Sequence, residues 1–373
     1  MVLTFCLVFI HPLLLLAYFP DYAEHMYVIS PALAFNKYND EVTVVSRVWL
    51  NKERIYINGD NLRNDTLYDN YLFKIPFNSK LRNDFHGSLL RVNVPKLKKA
   101  LSGDGPMDPK LVFYKHGLHV IFNAAVENDK LEIEDRMFVH VVSQGPDAVF
   151  QLLIESYDLA KSDKGWVPLI TVDGRYLFIY RFDPLVIIEC DPNNFRKPCR
   201  FVTSQGKSYF PDKSIHLRGG TPFVEYMHPY YVAVCHGTFF VDKGTRYYTS
   251  NIVLLNIQSH SLVYVSSDIS FSSKLFEMAQ PARSWVTGFP FFFPVGIDVW
   301  SKDVLIVSGH FNDAFSAIVK LSGIKQIFDV AISTDLKSVH EVQPVPDFST
   351  NFLLNSILLK QLTNETGLEF LAN

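Results

Sequence analysis

The residues best suited to chemistry lie in Gly105-Pro106-Met107-Asp108-Pro109-Lys110, which leads into LVFYKHGLHVIFNAAV. Gly105-Pro106 marks a turn, and Pro109 stiffens the start of the strand that follows. Asp108 is therefore expected at a fixed point, where a carboxyl can give or take a proton. Most Asp-Pro pairs only shape a turn before a hairpin, so the case for chemistry rests on what the fold brings near Asp108. Four further stretches carry suitable groups. Leu217-Arg218-Gly219-Gly220-Thr221-Pro222 sets an Arg before two glycines that let backbone come close to a ligand, which suits an anion or a sugar. Lys164-Gly165-Trp166-Val167-Pro168 offers an ammonium and an indole. The Trp166 ring can stack on the C–H face of a pyranose, and it can equally fill a core. Ser308-Gly309-His310-Phe311-Asn312-Asp313 offers Asn312 and Asp313 to sugar hydroxyls, or to the Asx bonds of a plain turn. In Arg246-Tyr247-Tyr248-Thr249, a phenol such as that of Tyr248 can reach an anion, although tyrosines are common in strands without any such role.

These groups matter only if the fold gathers them. Long amphipathic helical patterns are scarce, and short β-branched and aromatic runs recur between Gly, Asn and Asp turns. One unit returns five times: a proline, an apolar strand, a polar turn, a second apolar strand and a polar residue. The copies run from Pro31 to Arg47, Pro109 to Asn123, Pro168 to Arg181, Pro222 to His236 and Pro294 to His310. The prolines are 78, 59, 54 and 72 residues apart, and each polar residue follows its proline by 13 to 16. Self-similarity at such a period, with several strands per unit, is the mark of propeller blades. It predicts an all-β, five-bladed β-propeller rather than a pair of sandwiches. Outer strands are expected from MFVHVV, YTSNIVLLNI and LVYVSSDISF. Corresponding turns of every blade meet around the central channel. Arg47, Asn123, Arg181, His236 and His310 should therefore converge, with Asp108, Trp166 and Arg218 just ahead of the repeated strands. The set is cationic, with one embedded carboxylate.

Composition narrows the alternatives. Hydrophobic residues are 48% and charged residues 20% of the 373, enough for a large core. A net charge of −3 and no Lys/Arg run give no reason to expect nucleic acid. Dinucleotide and phosphate loops, GxSxG and HExxH are absent and the histidines are scattered, so neither a cofactor nor a metal is expected. The first 19 residues, MVLTFCLVFIHPLLLLAYF, are nearly all apolar and read as a signal peptide, a membrane anchor or the first strands. No basic residue precedes Cys6, and His11-Pro12 interrupts a spanning helix. The length and terminal position of the run predict entry to the secretory pathway (Golgi or ER lumen, or secretion), with the cytoplasm as the alternative. Residues 20–330 are assigned to the propeller, and 331–373, with LLNSILLKQL, to a segment that completes a blade. Cys190 and Cys199 bracket a polar loop and suit a hairpin disulfide, while Cys235 reads as a core thiol. Asn64 and Asn364 head glycosylation sequons.

With these residues laid out, the chain resembles the five-bladed propellers of glycoside hydrolase family 130 and the related glycosyltransferase family 108 over roughly residues 29–321. The resemblance rests on Ser30-Pro31 with Arg47, Gly105 to Lys110, Trp166-Val167-Pro168 with Arg181, and Gly309 to Asp313. Arg218 to Pro222 with His236 resembles a segment of eukaryotic relatives. The family pattern Gly-x-Glu-Asp-Pro-Arg is met at Gly105, Asp108 and Pro109, and departed from at Met107 and Lys110. The resemblance implies chemistry on β-mannosides. Asp108 would pass a proton through the sugar's 3-hydroxyl to the glycosidic oxygen while phosphate attacks the anomeric carbon. In reverse, a mannosyl phosphate or nucleotide sugar donates to a glycan acceptor. Arg47, Lys110, Lys164, Arg181, Arg218 and His236 would hold the phosphate or leaving group. Asn123, Trp166, Tyr248, His310, Asn312 and Asp313 complete the expected site. An inverting hydrolase would need a second carboxylate to activate water, and only Asp183 and Asp313 offer one. The changes at Met107 and Lys110 support the alternative of a non-catalytic propeller that binds glycans or a protein.

Overall fold

The computed structural model describes residues 2–6, 26–36, 39–50, 70–78, 87–94, 97, 105–203, 215–241, 245–269, 271, 291–313 and 315–338. Both sequons and LLNSILLKQL lie outside them. The described residues form five antiparallel sheets. Strand β1 is Val2–Cys6. Blade one holds β2 (Met26–Asn36), β3 (Glu41–Leu50), β4 (Asn70–Asn78) and β5 (Ser88–Leu90). Blade two holds β6 (Met107–Tyr114), β7 (Gly117–Glu127), β8 (Ile133–Val141) and β9 (Val149–Gln151). Blade three holds β10 (Val167–Ile170), β11 (Tyr176–Phe182), β12 (Leu185–Cys190) and β13 (Arg200–Phe201). Blade four consists of β14 (Ile215–Gly220), β15 (Val224–Met227), β16 (Tyr230–Val241), β17 (Thr245–Asn256) and β18 (Ser261–Val265). In blade five, β19 (Phe292–Ser301), β20 (Val304–Phe311) and β21 (Phe315–Ser322) are completed by β1, which pairs antiparallel with β21. The chain is a five-bladed β-propeller, and each proline-led repeat falls on one blade.

The sequence runs are apolar without strict alternation because each sheet is covered on both faces by its neighbours. In β3, for example, Val42, Val44, Val45 and Val48 are all buried. Five apolar clusters fill the five gaps between blades. Val45 and Phe122 pack between blades one and two, and Trp166 and Met137 between two and three. Leu177 and Tyr231 pack between three and four, Val234 and Val307 between four and five, and Ile306 and Val44 between five and one. At 25 cal/mol per Å² of apolar surface buried, these layers are what hold the ring. Helix α1 (Ile324–Ser338) lays Ile324, Phe328 and Ile332 onto the cluster between blades four and five, with Phe328 edge-on to Tyr226 at 4.8 Å. No helix among the described residues is long and apolar enough to cross a membrane. Cys190 and Cys199 form a disulfide, and Cys235 is a buried free thiol, both as the sequence suggested.

Blade four departs from the sequence expectation. Its inner position does not begin at Pro222 but is shared by β14 and β15, both paired with β16. Thr221 spans the break, its N–H donating to the Val234 carbonyl and its hydroxyl accepting from the Val234 N–H.

Candidate active site

The inner strands of four blades are interrupted at corresponding steps. The pairing skips between Ile29 and Ala32 in blade one, Met107 and Lys110 in blade two, Arg218 and Gly220 in blade four, and Pro294 and Gly296 in blade five. Such bulges re-aim side chains. Opposite the start of these bulges the second strand carries the expected polar residues. Arg47 faces Ile29, Asn123 faces Met107 and His236 faces Arg218, whereas His310 faces Phe293, one step before the bulge of blade five, which opens at Pro294 opposite Gly309. Directly opposed residues share a face of the sheet. The phase read from the sequence is thus a shared ladder position in three blades, with His310 one residue removed from it in blade five.

Asp108 sits inside the bulge of blade two with φ 48°, as Ser30 does in blade one with φ 51°, and a proline follows each. A left-handed non-glycine residue costs roughly 1 kcal/mol and tends to mark functional positions. The turn before it is fixed by Gly105, whose φ is 95° and where a Cβ would lie 2.3 Å from the Asn70 carbonyl oxygen. Asn70 in turn accepts the Arg47 Nε–H at 2.6 Å. Arg47 also lies over the Trp49 ring at 4.6 Å and sets Nη1 3.6 Å from Asp108 Oδ1. With its amide nitrogen turned to the bulge, Asn123 donates to the Met107 carbonyl at 3.2 Å and to Asp108 Oδ2 at 3.3 Å. Asp108 keeps 36% of its side chain open to solvent. Burial pushes its carboxyl up. The charges of Arg47, Lys164, Lys110 and His310 pull it down and prevail, holding the group below the usual carboxylate range.

The remaining candidates divide. Lys110 is 6% exposed, and burial draws its ammonium below the usual lysine range against the opposing pull of Asp108. Lys164 pairs with Asp135 at 3.2 Å and still acts on Asp108. His310 stacks on Phe293 at 5.2 Å and places Nδ1 3.3 Å from Asp313 Oδ1. His236 packs on the same Phe293 ring at 4.4 Å, with Tyr248 5.7 Å away. Phe293 is thus held between two imidazoles. Arg218 is exposed beside His236, and Gly219 must be glycine because a Cβ would lie 2.1 Å from the Gly165 carbonyl, next to Lys164.

Three expectations are corrected or narrowed. Trp166 is not a sugar platform: it is 1% exposed, donates Nε1–H to Asp163 at 2.7 Å and packs edge-on to Phe178 and Tyr180. Arg181 does not join the ladder position of Arg47, Asn123 and His236. The β10–β11 pairing starts at Val167 and Ile179, and β11 has an irregular step between Ile179 and Arg181. Arg181 is exposed and, among the described residues, makes no hydrogen bond or ion pair. Asn312 spends its side-chain oxygen on the Phe291 N–H at 2.9 Å, so it clamps backbone rather than presenting that oxygen to a ligand. Sequence reasoning missed Asn70, Asp135 and Phe293. Only Phe293 left a trace, in the run Phe289 to Phe293 just before the fifth repeat.

An acidic side chain among lysine, arginine and histidine, on the rim of a propeller channel, can exchange a proton beside a bound anion. No family model and no curated protein sequence matches the chain. Solved structures do. A glycosyl hydrolase from Bacteroides ovatus is 12% identical, with a TM-score of 0.51 over 79% of this chain and 83% of its own. A mannose phosphorylase from Leishmania mexicana, solved in complex with a phosphate ion, is 14% identical, with a TM-score of 0.50 over 83% of this chain and 86% of its own. At such identities the likeness is one of fold.

Proposed function

We propose that this propeller is a carbohydrate-active enzyme that moves a mannosyl unit between a glycan and a phosphate or nucleotide leaving group, with Asp108 as the acid/base. One observation carries the reading: a single carboxylate, fixed in a left-handed bulge, is surrounded by Arg47, Lys110, Lys164 and His310. That arrangement suits a proton donor beside an anion. In the phosphorolytic direction a phosphate oxygen bonds to the anomeric carbon as the glycosidic C–O bond breaks. The Asp108 proton passes through the sugar's 3-hydroxyl to the departing oxygen, leaving a mannosyl phosphate and a shortened glycan. The cations keep Asp108 ionised in the free protein. An arriving phosphate offsets their field, so the carboxyl gains its proton as the anion binds. Asp313, the second carboxylate of the rim, is engaged with His310, which speaks against water activation by a free base. The fold shared with a mannose phosphorylase holding phosphate supports the substrate class. Entry to the secretory pathway belongs to the same proposal and is supported by the Cys190–Cys199 bond, since disulfides persist in oxidising compartments.

The test is a donor screen that follows release of phosphate or nucleoside diphosphate from mannose 1-phosphate or GDP-mannose, and phosphorolysis of manno-oligosaccharides. Turnover is expected in one direction, and Asp108→Asn should lower kcat by about 10²- to 10⁴-fold without unfolding the protein. No turnover with any donor, or full activity in the variant, sinks the proposal.

A further inference from the structure

Lys110 is buried without being answered. It is 6% exposed and, among the described residues, makes no hydrogen bond or ion pair. The titratable groups that act on it are Asp108, on its own strand, and Cys235, from β16 of blade four. Cys235 brings no charge, because its burial holds the thiol protonated. Asp108 is already engaged by Arg47 and Asn123, and it also feels Lys164 and His310. An unpaired ammonium taken out of water costs several kcal/mol. A lysine so placed either gives up its proton or acquires an anion. Arginine would have no such choice, since it stays charged in any protein.

We infer that Lys110 receives the anionic group of the donor and takes up a proton from solvent as it does so. Burial weakens the hold of the amine on its proton in the free protein, and an anion beside it restores that hold. This rests on the reading of the site as an anion-using transferase. It adds a specific consequence: the contact is strengthened by the substrate itself, so anion binding should weaken as pH rises.

Titration calorimetry of inorganic phosphate into the whole protein tests it. At about pH 8.5 phosphate is a dianion, and any proton that Asp108 gains on binding is common to the wild type and Lys110→Arg, so the difference between them counts Lys110 alone. Repeating the titration in buffers of different ionisation enthalpy gives the protons taken up. The wild type should bind with net uptake, Lys110→Arg should bind with that uptake at least halved, and Lys110→Met should bind about tenfold more weakly or worse. Because Lys110→Met removes an unmet buried charge, its melting temperature should hold or rise, which separates lost binding from lost folding. Binding without proton uptake, uptake unchanged in Lys110→Arg, or undiminished binding in Lys110→Met each overturns the inference. So does a wild type that ignores phosphate, whereas turnover of a mannosyl donor judges the enzyme reading separately.

Discussion

The Arg47 guanidinium is held from two sides, by Asn70 through Nε and by the Trp49 ring, and it sets Nη1 3.6 Å from Asp108. It is thus a fixed charge, and it is the strongest of the four that lower the Asp108 carboxyl. If Asp108 is the acid, activity falls as pH rises through its titration. Removing Arg47 raises that titration, so the alkaline limb of kcat/KM must move to higher pH even as binding weakens. For Arg47→Met the expected shift is about one pH unit, read from a full pH profile. A limb that stays in place would take Asp108 out of the acid role or Arg47 out of its control. Trp166 gives the contrast at this scale. A large aromatic next to a lysine invites a binding role, yet the nearby Asp163 carboxylate claims its N–H and the blade interface claims its ring.

Between blades two and three the elements meet around a buried histidine. His119 on β7 is 4% exposed, with Tyr114, Tyr176 and Phe195 ringed about it at 5.7 to 5.8 Å and no hydrogen bond to Nδ1 among the described residues. Burial, then the neighbouring His140, draws it from 6.5 to about 4. The unfolded chain therefore binds a proton that the folded one refuses, so stability is full above about pH 6.5 and falls as pH drops toward 4. The loss is on the order of 3 kcal/mol, from 1.36 kcal/mol per unit. Urea midpoints at neutral and mildly acid pH should show it, and His119→Phe should flatten the difference. Equal wild-type midpoints would contradict the assignment. How legible these elements were follows from what each one needed. The inner strand pairs announced themselves, because two covered faces require continuous apolar runs and the start of most inner strands uses a proline. Their phase located Arg47, Asn123, His236 and His310. Arg181 escaped because an irregular step in β11 changes the count after Ile179, and the repeat starting at Pro222 hid that β14, ahead of Gly219-Gly220, also pairs with β16. Asn70 and Asp135 acquire their roles only through partners 23 and 29 residues away, at distances no local pattern records.

Across the molecule, five interfaces for five blades mean that among the described residues each blade packs against a neighbour on both faces. The ring is sealed by sequence-distant partners: β1 supplies the outermost strand of the blade whose other three strands come from residues 292–322. Five residue pairs, Val2 with Ser322 through Cys6 with Ile318, make that seam. A closed propeller uses such a seam to protect the last edge, and opening it leaves β21 as a bare edge strand. A variant lacking residues 1–6 should lose stability on the order of 3 kcal/mol, from several ladder hydrogen bonds at about 1 kcal/mol each, and should aggregate more readily on heating. Asp108 and Lys110 ride on the inner strand of blade two and Arg47 on the second strand of blade one, while His310 lies on β20, with β21 between it and β1. At low temperature the variant should therefore keep the wild-type affinity for phosphate while its melting temperature falls. An unchanged melting temperature would show that the seam adds nothing to the ring, and lost affinity in a protein that is still folded would show that the rim depends on closure.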